Sequence, residues 1–295
     1  MRGDTRTLLI TGGSGYLGRH LVRRATAEWQ VVATYFSHPD LPAGCQAVPL
    51  DVRDGPAVAR LAADLRPAAV IHTAYDMTSP EAMRPVIVEG TRHVATAAAA
   101  VGARLVAMST DVIFDGERGP YREADPPSPV TPYGQAKAEA ERAVAELCPE
   151  AVIIRTSLIY GFNPADPRTR WVVDSLRNNQ PITLFTDELR CPIWVEQLAA
   201  ALLELAGEEG EDLGGIWHLA GAQALSRYEF GVRLARAYGL DPAGITPGRS
   251  RDSRALRPRD CRLEIGKAQA RLRSPLWGVD EVIDWTQTAE RTDKR

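Results

Sequence analysis

Cysteine is scarce in this 295-residue chain, and the few thiols stand apart: Cys45, Cys148, Cys191 and Cys261 form no CxxC pair and no Cys/His cluster. That spacing offers neither a zinc site nor a disulfide framework, so reduced thiols in a cytoplasmic setting are the expectation. No metal-ligand spacing is present, and Glu281 with Asp284 reads as a solvated helix face. A dominant charge sign is also missing, since the formal net charge is −3. No nucleic-acid or membrane partner follows from such a balance. The Arg-rich stretch 249–262 is interrupted by Asp252 and Asp260, and reads as a solvated loop or a local anion site. Long apolar runs are absent too. Leu8-Leu9-Ile10 is too short for a secretory segment, and nothing approaches membrane-spanning length.

What is present is an alternation. Apolar strands are predicted at 7–11, 31–35, 47–50, 69–73, 104–109 and 151–156. Amphipathic helices are predicted between them at 16–29, 56–65, 81–101 and 132–147. This predicts an α/β fold of Rossmann type, a doubly wound parallel sheet with helices on both faces. Right-handed crossovers bring the carboxyl ends of the strands to one rim, where ligands bind. Ser14, Thr73, Ser109 and Ser157 reach that rim.

After about residue 158 the rhythm changes. A loop at 161–167 precedes a helix at 171–178, then a strand and helix at 191–205 and a strand at 216–219. A helix at 226–238 opens with a capping box, Ser226 with Glu229. The expected division is a dinucleotide-binding domain at 1–160, with about 185–225 returning to it. Residues 161–295 form mainly a smaller C-terminal α/β substrate-binding region.

Gly12, Gly15 and Gly18 carry the GxxGxxG spacing directly after the first strand, with Tyr16 and Leu17 opening the helix that follows. Glycine there permits a tight turn and close approach of backbone N–H groups to a pyrophosphate, at the positive end of a helix. The second strand runs into Phe36-Ser37-His38-Pro39, with no acid before Asp40. NAD sites use an acid near this point to bind the ribose hydroxyls. Its lack favours NADP(H), with NAD(H) also able to bind. Ser37 or His38 would hydrogen-bond a 2′-phosphate, with Arg19 in support. His38 reads equally as an exposed loop imidazole. Asp51 and Val52 would lie beside the adenine, or serve as a strand-end cap.

Tyr133 and Lys137 are i and i+4 on one helix face. An ammonium beside a phenol is expected to lower its pKa, and such a Tyr exchanges a proton with a carbonyl as hydride is transferred. Lys137 would also hydrogen-bond the nicotinamide ribose. Ser109-Thr110-Asp111, at the end of the preceding strand, supplies a hydroxyl to polarise that carbonyl.

Four segments together resemble the extended short-chain dehydrogenase/reductase superfamily, and within it the dTDP-4-dehydrorhamnose reductases. They are 11–18, 109–116 (STDVIFDG), 133–137 (YGQAK) and 155–161 (RTSLIYG). Arg257-Pro258-Arg259-Asp260-Cys261-Arg262-Leu263 resembles that family's RPxxSxL segment, with Cys261 in place of Ser. The resemblance implies Thr110, Tyr133 and Lys137 as the catalytic set. It implies that NAD(P)H reduces C4 of a nucleotide-linked 4-keto-6-deoxy sugar. It places Thr73, Ala74, Tyr75 and Ser109 in the cofactor cleft, and Asp111, Val112 and Phe114 at the substrate. A bound diphosphate requires a cation. Arg190 is the candidate, and an ion pair with Asp187 or Glu188 is its plain alternative.

Departures at 72–76, 164–170 and 187–193 bear on the substrate rather than on the reaction type. An epimerase or dehydratase that retains NAD is an alternative, for which Asp111 is available but the usual Asp-Glu pair is absent. A third reading is a non-catalytic NADP-binding partner resembling the β subunit of methionine adenosyltransferase. A fourth is reduction of a carbonyl in a natural-product intermediate. Ala97 to Ala100 would permit close helix packing in a homodimer, and core burial accounts for them equally.

Overall fold

The computed structural model describes residues 6–77, 79–208, 213–253 and 255–293. The chain opens with β1 (Thr7–Thr11), α1 (Tyr16–Ala25), β2 (Gln30–Tyr35), β3 (Cys45–Pro49), α2 (Gly55–Leu65) and β4 (Ala69–His72). It continues with α3 (Pro80–Arg84), a π-turn (Pro85–Glu89), α4 (Gly90–Val101), β5 (Arg104–Met108), α5 (Pro132–Leu147) and β6 (Val152–Thr156). The single helix expected at 81–101 is thus three pieces. Pro85 has no N–H to continue the ladder, and the chain takes a wider turn there.

Next come β7 (Ile159–Tyr160), α6 (Pro167–Arg177), β8 (Ile182–Phe185), β9 (Leu189–Arg190), β10 (Ile193–Trp194), α7 (Val195–Gly207) and β11 (Gly215–Leu219). The last elements are β12 (Leu225–Ser226), α8 (Arg227–Ala237), β13 (Ile245–Gly248), α9 (Gly266–Arg271) and α10 (Val279–Asp293). Helix α6 starts four residues before the expected 171, because Asp166 caps it through the amides of Arg168 and Thr169.

Seven parallel strands form the central sheet in the order β11-β6-β5-β4-β1-β2-β3. The chain reverses direction across the sheet between β1 and β4, which is where such sheets bind ligands. Helices α1 and α7 pack together on one face, and α2, α4 and α5 on the other. Strand β11 is late in sequence yet pairs with β6, so the sheet is completed from beyond residue 200. Cys261, Leu263, Ile265 and Leu276 also enter the core on the α1/α7 face. A smaller lobe is built from the short pairs β7/β10, β9/β12 and β8/β13, with α6 packed on α8. Ala97 and Ala98 are buried against the sheet, while Ala99 and Ala100 are exposed. No helix among the described residues is long and apolar enough to cross a membrane.

Candidate active site

The carboxyl ends of β1, β4, β5 and β6 lie side by side and deliver the site. After β1 the chain turns at Gly12, whose φ is +73°, and a Cβ there would lie 2.8 Å from the Ala74 backbone. A Cβ on Gly18 would lie 2.3 Å from the Gly12 carbonyl oxygen. Side chains at either position would force the loop, α1 and the β4 end apart. A Cβ on Gly15 would meet just the Gly12 carbonyl oxygen among the described residues, at 3.2 Å. Gly15 is the N-cap of α1, no side chain caps that helix, and no acid stands in its first turn. Its first amides are therefore free to meet an anion. Thr73 closes the loop, donating from Oγ1 to the Thr11 carbonyl at 2.8 Å.

Ser109 and Thr110 follow β5. The Ser109 hydroxyl is buried and has no hydrogen-bond partner among the described residues. Buried polar groups are nearly always paired, so an orphan on a ligand-binding rim marks a place for a ligand atom. The Tyr133 phenol lies beside the Thr110 hydroxyl, with Tyr75 and Asp111 close by. Tyr133 enters from the first turn of α5, where Thr131 caps the helix by accepting the Gly134 amide at 3.1 Å. One helical turn on, Lys137 is buried and donates from Nζ to the Met108 carbonyl at 2.9 Å.

The electrostatics differ from the expectation. Burial, with Tyr75 and Asp111 adding to it, raises the Tyr133 pKa above the ordinary phenol range. Burial lowers the Lys137 pKa to about 8. The ammonium spends its hydrogen bond on a carbonyl rather than on the phenol, so desolvation decides both groups. Tyr133 is thus held as the neutral, proton-bearing form.

Several other predicted residues lie elsewhere. Phe114 is fully buried, stacked on Tyr121 at 4.0 Å with the Arg155 guanidinium 5.1 Å over its ring. It is a core residue and cannot touch a substrate. Arg190 is 2% exposed. Its guanidinium donates to the carbonyls of Leu189, Pro258 and Arg259, and pairs with Asp111 at 3.5 Å and Glu188 at 3.3 Å. With its donors consumed and its head enclosed, it is not the diphosphate cation. Asp187 is not its partner, and accepts instead from the Ser250 amide and hydroxyl.

Leu17 is buried in the core, so only its backbone can face a cofactor. The Tyr16 hydroxyl donates to the Pro164 carbonyl at 3.0 Å, tying α1 to the loop before α6. Val52 is buried against Gly90, whereas Asp51 lies at the surface gripped by Arg53. Ser37 and His38 are exposed and bonded to one another. Arg19 is paired with Asp40. Asp111 is buried, accepts the Ser157 hydroxyl at 2.7 Å, and has its pKa raised chiefly by burial. Val112 and Tyr75 remain partly or largely exposed at the rim.

Three functional features escape a reading of the sequence. Arg155, fully buried, pairs with Glu141 of α5 at 2.9 Å and donates to the carbonyls of Glu123 and Asp125. It fixes the helix that carries Tyr133 and Lys137. His72 sits between the Thr11 and Thr91 hydroxyls at 2.6 and 3.0 Å, and burial lowers its pKa to about 3. Arg227 is half-buried near Arg168, Arg190 and Arg257, with Glu188 the acid beside it, and burial brings its pKa down to about 10. It occupies the first position of α8, where the helix dipole disfavours a cation, and that mismatch was the available signal.

The model of the RmlD substrate binding domain family matches residues 6–286. The chain belongs to this family. It is 34% identical to a dTDP-4-dehydrorhamnose reductase of Streptomyces griseus, over 91% of this chain and 88% of that one. It is 29% identical to the methionine adenosyltransferase 2 subunit beta of Xenopus laevis, over 82% of this chain and 75% of that one. Among solved structures, a hypothetical dTDP-4-dehydrorhamnose reductase from Sulfolobus tokodaii superposes with a TM-score of 0.82 at 29% identity. That match covers 95% of this chain and 98% of the other.

Proposed function

We propose that this protein is an NAD(P)H-dependent reductase of a nucleotide-linked 4-keto-6-deoxy sugar, of the dTDP-4-dehydrorhamnose reductase type. The observation that carries the proposal is the Tyr133 phenol beside the Thr110 hydroxyl, one helical turn from buried Lys137, on the rim that the glycine loop opens. The glycine cradle, the uncapped α1 amides and the orphan Ser109 hydroxyl fit a dinucleotide. When bound, that cofactor supplies the reducing equivalent, and NADP(H) is favoured over NAD(H).

The chain's own residues do the rest. Gly12, Gly15 and Gly18 bring backbone N–H groups to the pyrophosphate. Ser109 donates to, or accepts from, the ligand beside it. Thr110 donates to the substrate carbonyl oxygen. Tyr133, kept protonated by its buried setting, hands its proton to that oxygen. Lys137, whose lowered pKa makes its proton easy to pass on, holds the ribose and recharges the phenol. A nucleoside diphosphate is met by Arg257, whose guanidinium is exposed where that of Arg190 is enclosed, with half-buried Arg227 near it. Asp111 is paired and enclosed, which disfavours the epimerase or dehydratase reading, where it would serve as the free base.

The test is substrate-dependent oxidation of NADPH and of NADH with freshly prepared dTDP-4-keto-6-deoxy sugar. The proposal expects turnover that requires the sugar. Binding of NADPH without oxidation would overturn it. The match to the methionine adenosyltransferase subunit supports one further reading, a regulatory partner. A stable complex with a methionine adenosyltransferase, together with no ketone reduction, would establish that role instead.

A further inference from the structure

Tyr16 is the first residue of α1, so its amide is among those left free to meet an anion. Its side chain serves the other half of the molecule. The phenol is half-buried and donates from Oη to the Pro164 carbonyl, in the loop between β7 and α6, at 3.0 Å. Burial, with Asp166 and Glu196 adding to it, raises its pKa above the ordinary phenol range, so the hydroxyl stays a donor. Gly161 lies directly on that hydroxyl, since a Cβ there would stand 2.1 Å from its oxygen. The ring is steadied edge-on by His20 of the same helix, at 5.0 Å. Nδ1 of His20 in turn lies 2.5 Å from a carboxylate oxygen of Glu196 on α7.

The loop at 161–166 is tied at three points. Asp166 gathers the amides of Gly161, Arg168 and Thr169. Tyr238, at the end of α8, donates to the Phe162 carbonyl at 3.0 Å. Tyr16 holds Pro164. Two of these ties lie within the smaller lobe, and the third comes from the helix that follows the glycine loop. The loop leads into α6, whose Arg168 stands near Arg227, as does Arg257. Under the reductase reading the substrate diphosphate meets that cluster.

We propose that Tyr16 couples the two ligands: a dinucleotide seated on the α1 amides fixes the first turn of that helix, the Tyr16 hydroxyl thereby fixes the 161–166 loop, and α6 is held where Arg168, Arg227 and Arg257 receive a nucleoside diphosphate. Tyr16 is a positioning residue, acting on the sugar nucleotide through Pro164 and α6. The element with two arrangements is the loop, tied to α1 or released from it, and each ligand favours the tied one. Such coupling is reciprocal, so the factor by which one ligand tightens the other is the same in both directions. The inference rests on the reductase reading for the identity of its second ligand.

Calorimetry on the full chain with NADPH, with dTDP, and with each in the presence of the other measures that factor. In the native protein each ligand at saturation is expected to tighten the other at least about fivefold. Tyr16→Phe keeps the ring against His20 and Gly161 and removes the hydrogen bond. Its factor should fall below about twofold, whatever its two separate affinities. Tyr238→Phe frees the same loop from the lobe side. It should weaken dTDP equally with and without NADPH and keep the native factor. A native factor retained in Tyr16→Phe would overturn the proposal. So would an equal loss in Tyr238→Phe, which would mean that stiffness of the loop alone carries the effect. Independent binding of the two ligands to the native protein would overturn the proposal and leave the reductase reading standing. Binding of NADPH with no binding of dTDP would remove both.

Discussion

At the sheet rim the buried hydroxyl of Ser109 has no partner among the described residues, while in the smaller lobe the buried guanidinium of Arg190 has three carbonyls and two carboxylates. Both residues are polar and enclosed. Under the reductase proposal, their difference separates a group kept for a ligand from a group kept for the fold. Leaving a buried polar atom unpaired costs about 1–3 kcal/mol, and a fold tolerates that where something else will pair it. Arg190 shows the opposite arrangement. Its charge ties β9 to the 257–260 segment and to Asp111, one residue from the Thr110 hydroxyl. Arg257, by contrast, is exposed at the surface of that lobe.

The contrast can be broken by substitution. Tyr133→Phe keeps the ring and removes the proton, and should lower kcat by about 10²–10⁴-fold with cofactor affinity unchanged, as measured by steady-state kinetics and fluorescence titration. Arg190→Met leaves Asp111 and Glu188 enclosed without their cation. A loss of about 3–5 kcal/mol in urea unfolding is expected. If Arg190→Met instead unfolds normally and raises KM for the sugar nucleotide, the residue belongs to the ligand after all. Arg257→Gln should do what Arg190→Met does not. Its side chain is 40% exposed, so stability should hold within about 0.5 kcal/mol while KM for the nucleotide sugar rises roughly tenfold.

A smaller effect concerns His72, the buried imidazole behind the glycine loop. Its folded pKa of about 3 lies below the ordinary value of 6.5. The unfolded chain therefore binds a proton first, and stability falls as pH drops from about 6.5 towards 3. Urea unfolding at pH 7.5 and pH 5 should show the native protein losing more stability than His72→Gln. Equal losses would mean that His72 does not titrate with folding.

The rim was legible because its signals are local. Gly12 to Gly18 and Tyr133 to Lys137 each state a geometry within a few residues, and strand-helix alternation orders them on one edge. Phe114 and Arg190 were misassigned because neither membership of a segment, for Phe114, nor a cationic side chain, for Arg190, fixes the direction in which the group points. A 3₁₀ turn at Asp111–Ile113 sends Phe114 inward. The carbonyls of the 258–259 segment, almost 70 residues further on, claim Arg190. Arg227 and Arg257 meet only when α8 and that same segment fold together, so no window of sequence contains both. The Tyr133 pKa was misjudged for a related reason. The spacing gives the distance to Lys137 but not the carbonyl of Met108 that takes its hydrogen bond.

The central claim is that the rim formed by Thr110, Tyr133 and Lys137 reduces a sugar ketone. Its most direct test is label transfer from NADPH deuterated at the nicotinamide C4, with dTDP-4-keto-6-deoxy sugar and no other protein present. The account predicts deuterium at C4 of the product sugar, in proportion to cofactor consumed. Demonstrated binding of both cofactor and sugar, with no deuterium transferred, would contradict it.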